Sequence, residues 1–180
     1  VRGDRVRFPA ARWRGATSEL LFIFRNMVYT LCMSGDIVRQ GGVAVIPTDT
    51  LYGIVGRAFS EVAVARVYDL KGRTLHKPCI ILISSQEDLA LFGIFLTPEQ
   101  KGVLSHVWPG PTSVVLPCPD DTYEYLHRGS RSLAFRLPDS PDLRALIRET
   151  GPLIAPSANP EGAPPAKTVA EARAYFGGRV

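Results

Sequence analysis

GGVAVIPTDTLYGIVG, residues 41–56, is the stretch whose reading decides the fold. Val43, Ala44, Val45 and Ile46 form a short apolar run that reads as a buried strand. Pro47 ends it. Thr48, Asp49, Thr50 and Tyr52 then offer three hydroxyls and one carboxylate at the strand's end. In open α/β sheets, ligands gather beyond the carboxyl ends of strands. Pro, Thr, Asp and Gly are also ordinary turn formers, so residues 47–53 read equally as a plain turn.

Upstream, Val28, Leu31, Cys32, Ile37 and Val38 give a helical pattern over 28–40, weakened by Gly35 and stopped by Gly41–Gly42. Residues 1–26 share no pattern with the rest and are expected to be an N-terminal extension, possibly disordered. The folded domain is expected over 27–180. Downstream, Ser60 caps a helix over Glu61–Lys71, followed by a strand at Cys79–Ile83. Ser84 and Glu87 have capping-box spacing for a short helix to Leu91, and Thr97, Pro98 and Gln100 start another to about Val107. WPGP at 108–111 is a rigid turn. Ser113–Leu116 and Ser132–Leu137 read as strands, with a loop at Asp120–Arg128 between them. Ser140 starts a helix to Thr150, Leu153–Ala155 is a short strand, and Thr168 with Glu171 caps a last helix to about Tyr175. Helices and strands alternate without strict βαβ regularity. The fold class expected is therefore α/β (mixed α+β), a twisted mixed sheet flanked by helices.

The chain has 180 residues, 46% hydrophobic and 21% charged, enough for one domain with a real core. The net charge is +4 and the pI near 9.2, which suits an anionic partner. Five arginines (Arg2, Arg5, Arg7, Arg12 and Arg14) sit in the first fourteen residues, so much of the excess is a basic tail rather than a patterned patch. Cys32, Cys79 and Cys118 are odd in number and form no CxxC, which reads as reduced thiols and a cytoplasmic setting. His76, His106 and His127 have no metal-ligand spacing, and no apolar run approaches a membrane span. Walker A, GxGxxG and GxSxG are all absent from the sequence.

Four polar stretches follow or interrupt apolar strands: Thr48–Tyr52, Lys71–Lys77, Ser132–Arg136 and Ser157–Asn159. Cations and hydroxyls together are the inventory for an anionic ligand with a polar small molecule beside it. Lys71 and Arg73 could equally complement the helix dipole. Arg136, flanked by Leu133, Ala134, Phe135 and Leu137, should be buried and needs an anionic partner, either a structural carboxylate or a ligand.

Five motifs in order, IPTDTLYG, KGRTLHKP, WPGPTSVVLP, SLAFRLP and APSANPEG, resemble the YrdC-like family of threonylcarbamoyl-AMP synthases over about Asp36 to Gly177. The resemblance implies a YrdC/RibB-like fold with a large central cleft. It implies a nucleotidyltransferase that makes threonylcarbamoyl-AMP and pyrophosphate from L-threonine, bicarbonate and ATP, with Mg2+ accompanying the ATP. The product would feed N6-threonylcarbamoyladenosine formation in tRNA through a downstream threonylcarbamoyl-transferase complex, and tRNA or double-stranded RNA would be a partner. The alternative is an RNA-binding module of this fold without the activity. Carried over by motif, Thr48, Thr50, Tyr52, Arg136 and Ser157 would bind threonine. Lys71, Arg73, Lys77, Ser132, Ala155, Ser157, Asn159 and Pro165 would bind ATP. No side chain is implied as a nucleophile or a metal ligand.

The departures are specific. Thr74 stands where the family has Pro after KxR. Val55 replaces a Gly in YGLG, and Leu82 stands where some members have His. Glu161 replaces the Ser of SANxSG and is expected to face solvent, away from a triphosphate. The resemblance also implies a further strand beyond Val180, so the domain is expected to be truncated at its C-terminus.

Overall fold

The computed structural model describes residues 34–180. The expected N-terminal extension, the first part of the 28–40 helix and Cys32 lie outside the described residues. Helical backbone runs over 34–39 and hands over to β1 (Ala44–Pro47). The chain then turns straight back into β2 (Tyr52–Arg57), so the opening stretch is a β-hairpin. Its register pairs Ala44 with Val55 and Pro47 with Tyr52. The second strand was not expected from the sequence, because Gly53 and Gly56 interrupt its apolar pattern.

Helix α1 (Glu61–Lys71) follows as expected, with the Ser60 hydroxyl accepting from the Ala63 amide and Gly72 at φ 56° closing the C-terminus. Next come β3 (Ile80–Leu82), a 3₁₀ turn at Gln86–Phe92 and α2 (Pro98–Leu104). The Thr97–Gln100 capping box is formed. The one expected at Ser84–Glu87 is not: Asp88 instead accepts from the Ser84 amide and hydroxyl, at 2.7 and 2.8 Å. After β4 (Val114–Pro117), the segment expected to be a loop contains a 3₁₀ turn at Asp121–Tyr123 and the one-turn helix α3 (Glu124–His127). Then follow β5 (Ser132–Arg136), α4 (Pro141–Thr150), β6 (Leu153–Ile154) and α5 (Val169–Phe176).

The six strands form one mixed sheet in the order β1-β2-β6-β3-β5-β4, with β3 and β5 parallel and every other pair antiparallel. Both faces are covered. Ile54, Ile81, Leu133 and Phe135 pack with Val64 and Val67 of α1 and Phe176 of α5. Ile46, Val55, Leu82 and Leu153 pack with Val38 and with Leu143 and Ile147 of α4. Adjacent residues such as Ile54 and Val55, or Ile81 and Leu82, thus enter different cores, which is why the strands read as unbroken apolar runs. Cys79 and Cys118 are buried free thiols, and burial pushes both pKa values up.

Candidate active site

The hairpin loop 48–51 is built around the Thr48 hydroxyl. It donates to the Leu51 carbonyl at 2.7 Å and accepts from the Thr50 and Leu51 amides at 3.2 and 3.3 Å. Thr48 is therefore first a turn residue. Arg136, at the end of β5, reaches this loop although β6 and β3 lie between β2 and β5 in the sheet. Its Nη1 donates to Thr50 Oγ1 at 3.1 Å, and its Nη2 to Asp49 Oδ1 at 2.8 Å and Thr48 Oγ1 at 3.4 Å. The Arg136 and Asp49 side chains are 10% and 8% exposed. Of the two partners the sequence left open for Arg136, the structure supplies a carboxylate of the chain itself. Arg136 Nε is buried with no hydrogen-bond partner among the described residues, so the guanidinium keeps an unused donor there.

A cleft of about 230 Å³ opens beside this network, lined by Pro47, Thr48, Thr50, Leu51, Tyr52 and Lys167. Asp49 and Lys167 were not among the residues expected to bind. Asp49 read as a turn former. Lys167 carried no reading from the sequence; its amide donates to Glu171 Oε2 at 2.6 Å, beside the Thr168 cap.

The cations at the end of α1 are all engaged. Lys71 is 2% exposed, and its ammonium donates to the backbone carbonyls of Ser157 and Asn159, with Asn159 Oδ1 at 3.4 Å. Burial first, then neighbouring Arg73, brings its pKa down to about 8. Arg73 braces its own loop, with Nε on the Lys77 carbonyl at 3.1 Å and Nη2 on that of Pro78 at 2.9 Å. Lys77 pairs with Glu161. Glu161 also accepts from the Thr74 amide and hydroxyl. The expectation that Glu161 faces solvent is thus corrected: it turns onto the cation loop, because that loop presents an ammonium, a hydroxyl and a backbone N–H to its carboxylate.

The Lys71 shift has a definite sign. Folded Lys71 releases its proton near pH 8, whereas an unfolded lysine holds it to about 10.4. The unfolded chain therefore binds more protons between those values, and this group's contribution to stability rises with pH across that window. Measured against a Lys71→Met variant, the wild-type advantage should grow from pH 8 to pH 10; a pH-independent difference would contradict a buried, depressed ammonium.

Residues 155–159 run between the two walls. The Ile54 amide donates to Pro156 and the Ala158 amide to Tyr52, at 3.0 and 2.8 Å, and Gly53 bridges to Ser157. Gly53 permits this approach, since a Cβ there would lie 3.2 Å from Thr48 Cγ2 and 3.6 Å from the Pro156 carbonyl. Gly53→Ala should lower stability by about 1–2 kcal/mol through overpacking; unchanged urea denaturation would show that the hairpin gives way freely. Ser157 therefore stands between the Thr50–Arg136 network and Lys71. The Asn159 amide group donates to the Pro160 and Ala163 carbonyls at 2.9 and 2.7 Å, so Asn159 shapes its own loop. Ala155 and Pro165 are half-buried. Ser132 shares the strand face of Arg136, and its hydroxyl donates to Ser130 Oγ at 3.4 Å.

The comparisons with known proteins fit this arrangement. The family model for the Sua5, YciO and YrdC proteins, described as "Telomere recombination", matches residues 36–180. The chain belongs to the Sua5/YciO/YrdC family. A family member named threonylcarbamoyl-AMP synthase from Cellvibrio japonicus is 33% identical over 148 residues, covering 82% of this chain and 78% of its own. One of the same name from Shigella flexneri is 37% identical over 145 residues, covering 79% and 76%. Among solved structures, P. abyssi Sua5 complexed with L-threonine superposes with a TM-score of 0.77 at 30% identity. It covers 85% of this chain, which spans only 45% of the Sua5 chain. E. coli YciO, at 19% identity, TM-score 0.72 and coverage of 85% and 75%, shares the Sua5/YciO/YrdC fold.

Proposed function

We propose that this chain makes threonylcarbamoyl-AMP and pyrophosphate from L-threonine, bicarbonate and ATP, as an L-threonylcarbamoyladenylate synthase of the nucleotidyltransferase class. The observation that carries the reading is the Arg136–Thr50 network beside an open cleft, on the fold of a relative solved with L-threonine. The names of the Cellvibrio and Shigella relatives point the same way. Arg136, with its unused Nε, and Lys167, which lines the cleft, suit the carboxylate of an amino acid, and Thr48, Thr50 and Tyr52 suit its polar body. The loop of Lys71, Arg73 and Lys77 would face the phosphates, and Ser132, Ala155, Ser157, Asn159 and Pro165 the nucleotide. Within that set the contacts give Lys71 and Asn159 a supporting part, since both hold the 157–163 segment in shape.

The chemistry asks for positioning more than for a nucleophilic side chain. The threonine amine bonds to the carbon of bicarbonate, one C–O bond of bicarbonate breaks and water leaves, giving an N-carboxylate. One of its oxygens attacks the α-phosphorus, and the bond to the β-phosphate oxygen breaks to release pyrophosphate. Ser157, between the two walls, would contact both substrates. Mg2+ would come with the triphosphate and screen its charge. The carboxylates beside the two walls, Asp49 and Glu161, are committed to Arg136 and Lys77. Transfer to tRNA would fall to a separate threonylcarbamoyl-transferase complex in the cytoplasm, with tRNA or double-stranded RNA as a further partner. No helix among the described residues is long and apolar enough to cross a membrane. Incubation with ATP, bicarbonate and L-threonine should release pyrophosphate in a threonine-dependent way; release that ignores threonine, or none, would overturn the reading.

A further inference from the structure

Glu161 and Thr74 are two of the positions at which this chain leaves the motif pattern, and they touch each other. Glu161 Oε2 accepts from the Thr74 amide at 2.5 Å and from the Thr74 hydroxyl at 2.9 Å, while Oε1 takes Lys77 Nζ. A backbone N–H, a hydroxyl and an ammonium converging on one anionic group is the donor set that binds a phosphate oxygen. The amide is there to donate only because residue 74 is not proline.

We propose that Thr74 and Lys77 form an oxyanion seat for a polyphosphate, and that Glu161 occupies this seat as a built-in competitor. The inference rests on the nucleotide reading above and adds to it a brake on nucleotide affinity. Polyphosphate entry requires the Glu161 carboxylate to swing out, and an anion that leaves the seat while a stronger one enters costs affinity twice, through lost contacts and through like-charge repulsion nearby. The Lys77 and Thr74 contacts hold the Glu161 carboxyl down to about 2, so the competitor is charged at every working pH.

The seat does not depend on the carboxylate for its shape. The Lys77 amide donates to the Thr74 carbonyl at 3.1 Å, the Lys77 carbonyl accepts from Tyr68 Oη at 2.8 Å and Arg73 Nε at 3.1 Å, and Arg73 Nη2 donates to the Pro78 carbonyl at 2.9 Å. Removing the Glu161 side chain therefore empties the seat and leaves its walls standing.

The test uses inorganic triphosphate and Mg–ATP as probes, with calorimetry on the wild type, Glu161→Ser and Glu161→Gln. Both variants should bind inorganic triphosphate about tenfold more tightly, with Glu161→Ser at least equal to Glu161→Gln. In the wild type, saturating triphosphate should shift the Thr74 amide resonance. Unchanged or weaker binding in both variants, or a Thr74 resonance that stays put while triphosphate binds, would overturn the proposal. The two readings fail separately. Tighter triphosphate binding by Glu161→Ser without threonine-dependent pyrophosphate release by any form would sustain the seat and sink the enzyme. Release by the wild type with no gain in Glu161→Ser would do the reverse.

Discussion

Arg136→Ala is expected to abolish threonine-dependent pyrophosphate release and to cost about 3–5 kcal/mol of stability, because it strands Asp49 in a site that is nearly closed to water. Three interactions vanish together: the Asp49 ion pair and the hydroxyl contacts of Thr48 and Thr50. The loop that lines the cleft then loses its anchor on β5. Stability alone cannot reveal whether Arg136 also meets substrate, so the informative comparison is the double variant Asp49→Asn with Arg136→Met. It removes both charges, which should recover much of the lost stability. Turnover should stay below wild type by at least about thirtyfold if the guanidinium binds the amino-acid carboxylate, a charge-assisted pair of the kind worth about 2 kcal/mol or more. Recovery of stability and turnover together would leave Arg136 a purely structural residue. Urea denaturation and pyrophosphate release, measured on the same preparations, decide it.

Lys71→Met is the second large effect, and it should appear first as lost stability. The ammonium satisfies the carbonyls of Ser157 and Asn159 in a site that is 2% exposed. Methionine fills the space and donates nothing, leaving the Asn159 carbonyl without the ammonium and the Ser157 carbonyl with only the Asn159 amide at 3.0 Å, at a cost of about 1–3 kcal/mol. ATP affinity should fall as a consequence, because the 157–159 segment loses its tether to α1. Were Lys71 a direct phosphate ligand instead, Lys71→Met would weaken ATP binding at nearly unchanged denaturation midpoint. Arg73→Ala offers the contrast: its braces go to the Lys77 and Pro78 carbonyls on a partly exposed loop, so its stability cost should be the smaller of the two.

Much of the fold was legible because its signals are local. Ser60, Thr97, Ser140 and Thr168 each cap the helix they were expected to cap. The hairpin was not, since Gly53 and Gly56 break the strand pattern for reasons that lie outside the strand: the approach of Ser157, far along the chain, and the packing of Ala63 in α1. The same holds in the site. A cation inside the apolar run of β5 announced that Arg136 would be buried and paired, but its partner, Asp49, lies 87 positions away. Lys71, Arg73 and Lys77 were recognisable as a cluster. That each already spends its charge on Ser157, on its own loop or on Glu161 depends on tertiary contacts that no spacing encodes. Glu161 shows the limit most clearly. Its expected exposure followed from the cost of a carboxylate near phosphate, whereas in the folded chain the same carboxylate satisfies the donors that a phosphate would use.

The identity of the product tests the central claim most directly. With ATP, L-threonine and 13C-bicarbonate, mass spectrometry should find threonylcarbamoyl-AMP carrying one heavy carbon, formed only when all three substrates are present. AMP or ADP without a threonine adduct, or an adduct that carries no bicarbonate carbon, would contradict it.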